Sequence, residues 1–237
     1  MCGRYTLTRH DRVVEDLQAS LGVSAQGEWW KSRFNVAPTQ PAPVVIRSDS
    51  HRTVELMRWG FVPFWAGGDG KKAPLMINAR KESLTAKQFF RESLAHRRCL
   101  VPADGFFEWI REAKKKPQPI YMHPKTGKLI AFAGLWAKSK TDAGAELFSF
   151  TIITGPANDM VKPVHDRMPV VLPESDYAAW LDPELGLDDA RALLKLPDTH
   201  DWIAEPVSMN VNKAANDDAS CIAPLVADDD PAQRSLF

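Results

Sequence analysis

The chain holds 237 residues, 44% hydrophobic and 25% charged, a composition that suits a globular protein able to bury a sizeable core. No apolar run reaches the ~20 residues of a membrane helix, and residues 1–17 lack the apolar h-region of a secretory signal. The zero net charge is uneven: removing the five acids and one base of residues 216–237 from the 30 of each leaves 25 acids and 29 bases, so residues 1–215 carry +4.

Weak alternation predicts a strand over 2–8, and Thr8 is placed to cap a helix over 9–21, with Val13, Leu17 and Leu21 on one face and Gly22 as the stop. Runs 44–47 and 53–59 flank Asp49-Ser50 and predict a hairpin. Further strands are predicted at 75–79, 98–102, 106–111, 119–123, 128–137 and 146–154, with a turn over 124–127. Residues 114–116, three lysines, read as a solvated hairpin tip. Helices are predicted near 83–95, 174–182 and 187–195, and an apolar strand follows Pro169. From about residue 216 the chain reads as a polar, acidic, flexible tail. Many strands with few helices between them imply an α+β single domain on a largely antiparallel, barrel-like sheet flanked by short helices.

The cysteines Cys2, Cys99 and Cys221 are odd in number and far apart, which fits a reducing compartment better than a disulfide framework. Cys2 follows Met1 directly. A small second residue allows removal of the initiator, which would leave a terminal cysteine bearing two nucleophiles. Its amine titrates near ~7.7–8.0 and its thiol near ~8.5. Such an aminothiol attacks an aldehyde through nitrogen, and the sulfur then closes a five-membered thiazolidine.

Three further strings bear on that chemistry. In RCLVPADGFFEWI (98–110), alternation places Phe106, Glu108 and Ile110 on one strand face. A carboxylate among large apolar groups has its pKa raised and can move protons near neutrality. In HDRMP (165–169), His165 sits in a compact charged turn before an apolar strand and supplies a side chain suited to proton transfer. In LMINARKES (75–83), Asn78 and Arg80 share a face if extended. Asn78 can hold a hydroxyl and Arg80 a phosphate. WGFVPFW (59–65) offers Phe61, Phe64 and Trp65 either to the core or as a stacking platform for unpaired bases.

Together MCGRYT, RFNVAPTQ (33–40), WGFVPFW, INARKE, RCLVPADGFFEW, FAGLW, TIIT and HDRMPV, spread over residues 2–226, resemble the SOS response-associated peptidase (SRAP) family of abasic-site processing proteins. The resemblance implies single-stranded DNA binding, with the terminal Cys2 capturing the ring-opened aldehyde of an abasic sugar as a thiazolidine crosslink. It implies Asn78 as the residue orienting the sugar and adduct, Glu108 as proton relay and His165 as an aid to ring opening or reversal. Arg4, Asn35, Arg80 and Arg167 take DNA-contacting positions, and Phe64 and Trp65 an aromatic wedge. Phe107 stands where many members carry Tyr. No cofactor or metal is required, and the expected protein is a monomer in the cytoplasm, associated with the nucleoid.

A different enzyme class also begins Met-Cys-Gly: the N-terminal-nucleophile amidases and glutaminases, in which the thiolate attacks an amide and the amine serves as base. His96 and Cys99 have ligand-like spacing for zinc but lack a second pair. The terminal Gln233, Leu236 and Phe237 resemble the short peptides that hook repair proteins onto a replicative sliding clamp, with residues 227–237 as an acidic tether.

Overall fold

The computed structural model describes residues 2–8, 31–48, 51–66 and 74–225. The helix expected over 9–21, the turn at 49–50 and the clamp-like residues Gln233, Leu236 and Phe237 lie outside these segments.

Two sheets organise the chain. The small one has the order β13-β8-β7-β1-β2, from Trp202–Pro206, Gln118–Pro124, Gly105–Ile110, Arg4–Leu7 and Arg33–Val36, with every pair antiparallel. In the larger sheet, β3 (Pro41–Ser48) pairs with β4 (His51–Trp59) and with β6 (Arg98–Ala103). β9 (Ile130–Lys140) pairs with β6 and with β10 (Glu146–Pro156), and β10 returns to β4 in parallel. These five strands therefore close into a barrel, which leaves no free edge among them. Beyond the β4 contact, the short strand β5 (Asn78–Arg80) takes over along β10, also in parallel. β11 (Arg167–Pro169) and β12 (Val171–Leu172) add to β10 and β9.

Period-two alternation divides the barrel strands between two cores. Val45, Leu100, Ala133, Leu135 and Ile153 pack against Phe90 and Leu94 of α1 (Gln88–His96), Trp180 of α2 (Tyr177–Leu181) and Ala190 of α3 (Leu187–Ala192). Helices can only lie outside a five-stranded barrel, so this is the outer wall. Val44, Trp59, Val101, Phe132 and Phe150 face the opposite way, into the lumen, and join Cys2, Tyr5, Phe106 and Met122 of the small sheet. One continuous core thus links the barrel to the sheet that carries the N-terminus.

The join is a corner in the chain. β6 passes into β7 through Asp104, which is 4% exposed. Its carboxylate accepts from the Thr8 amide and hydroxyl, both at 2.6 Å, and from the Thr6 hydroxyl, which also meets the Tyr121 hydroxyl at 2.9 Å. A side-chain carbon at Gly105 would run into the Tyr121 ring. The Pro-Ala-Asp-Gly string is therefore a corner whose carboxylate fastens β1.

The structure departs from the sequence reading at several points, among them the strand expected at 75–79, which begins only at Asn78. β2 and β13 are strands where none was expected, and both are edge strands of the small sheet. The helix expected over 83–95 begins only at Gln88, after a 3-10 turn at Lys81–Ser83. The chain from 216 to 225 is not a loose tail. Asp217 pairs with the Arg33 guanidinium and accepts from the Phe34 and Asn35 amides at 2.6 and 2.8 Å, while Cys221 is fully buried. Asp217 is thus a hydrogen-bond acceptor for an edge strand, whereas the exposed Asp218 caps the turn that follows by accepting from the Ser220 amide at 2.9 Å.

Candidate functional site

Cys2 lies just ahead of β1, whose register sets Arg4 opposite Phe107 of β7. It is fully buried. The Asn78 amide donates to the Cys2 carbonyl at 2.9 Å, and the Cys2 thiol donates to the Arg4 carbonyl at 3.7 Å. Asn78 is itself fixed by its pairing with Ile152 and by the Trp59 indole, which donates to the Ile77 carbonyl at 2.9 Å. Its side-chain oxygen is buried without a hydrogen-bond partner among the described residues, so it stands ready as an acceptor.

Glu108 is 3% exposed and shares its strand face with Phe106, as the alternation predicted. Ile110, the third residue of that set, reaches solvent. Burial pushes the Glu108 carboxyl up, opposed by the charges of His165 and Arg111. The Cys2 thiol is likewise raised, by its own burial first and by the Glu108 charge second. Cys2, Glu108 and His165 thus form one electrostatic group drawn from the N-terminus, β7 and the loop before β11.

His165 follows a turn closed by the Asn158 side chain, which accepts from the Val161 amide at 3.1 Å. The His165 Nδ1 lies 2.9 Å from both the Arg167 amide and the Asp166 carboxylate. One nitrogen cannot accept from the first and donate to the second at once. An amide is always a donor, so Nδ1 is the acceptor in that bond, and the neutral ring then carries its proton on Nε2.

The expected DNA-contacting residues divide. Phe64 and Trp65 are 64% and 58% exposed, and Arg80 is exposed at the end of β5. Trp65 rests edge-on against Phe89. Phe61, by contrast, belongs to the core. Arg167 is half-buried against Glu82, with two bonds of 2.8 Å, and donates to the Thr154 carbonyl at 2.7 Å. Asn35 departs from expectation. It is fully buried, and its amide donates to the carbonyls of Val211, Lys213 and Asn216 while its oxygen accepts from Arg4 at 2.8 Å. With no surface, Asn35 has no direct DNA contact to make; it positions Arg4.

Arg4 also donates to the Val211 carbonyl at 2.6 Å and borders a cleft of about 570 Å³ that includes Gly3, Trp109, Arg111 and Lys116. Sequence reasoning treated Lys116 as part of a solvated tip. Lys115 does pair with Glu112 at 2.8 Å, whereas Lys116 lines this cleft. His96 is exposed and Cys99 is buried with its sulfur toward Gly134, so the two do not converge as ligands. Among the described residues no helix is long and apolar enough to cross a membrane.

Residues 1–214 match the family described as SOS response associated peptidase (SRAP). The abasic site processing protein YoqW of Bacillus subtilis is 38% identical over 224 residues, covering 94% of this chain and 99% of its own. The abasic site processing protein YedK of Escherichia coli is 30% identical over 233 residues, covering 95% and 100%. A crystal structure of a Bacteroides thetaiotaomicron protein superposes with a TM-score of 0.82 at 24% identity, over 95% of this chain and all of the other; that likeness supports the fold alone.

Proposed function

The chain belongs to the SOS response-associated peptidase family, and from that membership we propose that it processes abasic sites in single-stranded DNA by covalent capture on Cys2. The shared name of its relatives supplies the substrate class. The observation that carries the chemistry is the hydrogen bond from Asn78 to Cys2, which anchors the leading residue beside a buried carboxyl.

Once Met1 is removed, the Cys2 amine adds to the open-chain aldehyde of the abasic sugar. Loss of one water gives the imine. The thiol then adds to the imine carbon, its proton passing to nitrogen, and the thiazolidine closes. Two bonds form to one carbon, one water leaves, and nothing is oxidised or reduced.

Each step needs a proton moved. Burial keeps the thiol protonated, so ring closure calls for a base; dehydration calls for an acid. Glu108, its pKa raised by burial, can serve as both near neutral pH. His165, with Nε2 protonated, assists sugar opening or reversal. The Asn78 oxygen accepts from a sugar hydroxyl. Arg80 and Arg4 hold phosphates while Phe64 and Trp65 stack on neighbouring bases.

The distinguishing test uses Cys2→Ala with Met1 removed. An amine without sulfur still forms the imine, which then eliminates the 3′ phosphate. A single-stranded oligonucleotide with one abasic site should be trapped intact by the wild-type protein and nicked by the variant. Intact, uncrosslinked DNA with the wild type would refute the proposal.

A further inference from the structure

We propose that Glu82 is a positioning residue for the proton chemistry of His165. Its carboxylate holds the Arg167 side chain, and the Arg167 backbone in turn holds the imidazole in the form that carries its proton on Nε2. This rests on the reading of His165 as a proton-transfer group.

Glu82 stands on a fixed support. β5 ends at Arg80, opposite Thr154 of β10, and the 3-10 turn Lys81–Ser83 follows at once. Lys81 donates through Nζ to the Leu194 carbonyl at 2.9 Å, which ties that turn to the chain just after α3. From this turn the Glu82 carboxylate accepts two bonds of 2.8 Å from the Arg167 guanidinium, which also donates to the Thr154 carbonyl at 2.7 Å. The Arg167 Nε is buried without a hydrogen-bond partner among the described residues, so the fork on Glu82 and the bond to Thr154 set its orientation. An exposed ion pair contributes little. This one is bidentate, and its arginine side chain is only 12% exposed, the circumstances in which such a fork fixes a geometry.

Register gives the Arg167 amide to His165. The Ala157 amide donates to the Asp166 carbonyl at 2.9 Å. In an antiparallel ladder the next pair, Pro156 with Arg167, is then a non-hydrogen-bonded one. The Arg167 amide accordingly points away from β10 and donates to the His165 Nδ1 at 2.9 Å. Nδ1 has a second neighbour, the Asp166 carboxylate, also at 2.9 Å, and that bond requires a proton on Nδ1. The amide and the carboxylate therefore favour opposite tautomers. β11 is three residues long and Arg167 is its first. The Glu82 fork anchors that end and weights the ring toward the amide.

Two measurements test the hold. Isotope-labelled histidine, read by NMR in the DNA-free protein, reports which ring nitrogen carries the proton; the His165 signals are those lost in His165→Ala. At a pH where the ring is neutral, the wild type should show Nε2 protonated. Glu82→Ala should move the ring toward a proton on Nδ1, and Glu82→Gln, which keeps one acceptor, should fall between. The second measurement is single-turnover crosslinking and reversal at saturating abasic DNA. There Glu82→Ala should slow the step that His165→Ala slows, by roughly tenfold against the ~10²-fold or more of losing an acid–base group outright. The half-saturating DNA concentration should not rise, and the double variant should be no slower than His165→Ala alone. An unchanged tautomer in Glu82→Ala, or rate losses that multiply in the double variant, overturns the proposal. If His165→Ala leaves both rates at wild type, the proton-transfer reading of His165 fails instead, and the ring signals still decide whether Glu82 holds the imidazole.

Discussion

Asn78 donates its side-chain amide to the Cys2 carbonyl across 2.9 Å, tying a strand paired in parallel with β10 to the residue proposed to capture the sugar. That bond fixes where the amine and thiol sit relative to Glu108. Asn78→Ala should slow crosslinking about tenfold or more while changing stability by only ~1 kcal/mol. Single-turnover crosslinking and urea unfolding of the same sample check both parts. An unchanged rate removes the positioning role.

Glu108 makes a prediction with a definite sign. Its pKa is raised by burial above the ~4.3 of an unfolded chain. Between those two values the folded state holds a proton that the unfolded state has lost, so the group's contribution to stability falls as pH rises through that window. Glu108→Gln should therefore have a Tm near wild type at about pH 4 and relatively higher at neutral pH. The same substitution should slow crosslinking and erase the ionisation that Glu108 imposes on its pH profile. A Tm difference independent of pH contradicts the assignment.

Asp104 fastens β1 without touching the reacting atoms. Asp104→Ala strips Thr6 and Thr8 of a buried acceptor, and a loss of ~2–4 kcal/mol is expected. Chemical denaturation measures it directly; a loss below ~1 kcal/mol would show the corner to be held by other means.

The arginines should not behave alike. Arg80 is exposed, whereas Arg167 is neutralised by two bonds to Glu82. Arg80→Gln should reduce the salt slope of single-stranded DNA binding by about 0.7. Arg167→Gln should move that slope less and disturb the loop that carries His165 more. Equal slopes for the two variants would mean that Arg167 leaves Glu82 for phosphate when DNA binds.

Phe64 and Trp65, large and exposed, should behave as a binding surface. Replacing either by Ala should cost ~1–3 kcal/mol of DNA affinity and within ~0.5 kcal/mol of folding stability. Fluorescence titration beside thermal melting tests it, and an unfolded variant would assign the ring to the core instead.

The parts of the proposed site that follow from strand periodicity and chain position were readable before the fold: alternation put Glu108 with Phe106, and Cys2 stands out by following Met1. What escaped depends on long-range pairing. Asn35 reads as a polar strand residue, yet its amide is consumed by carbonyls more than 170 positions later. Asp217 looks like tail charge until Arg33 and the β2 amides are seen to require it. β2 and β13 are four and five residues long, too short for periodicity to mark them. The barrel closes through a parallel β10–β4 contact of two residue pairs, which no local pattern encodes.

The most direct measurement is the intact mass of the adduct formed with an abasic oligonucleotide. Capture at the N-terminus by imine formation and ring closure predicts the mass of the chain without Met1 plus that of the DNA, less one water, with tandem fragmentation placing the link on Cys2. A link mapped to a lysine, or an adduct that keeps Met1, would contradict the account.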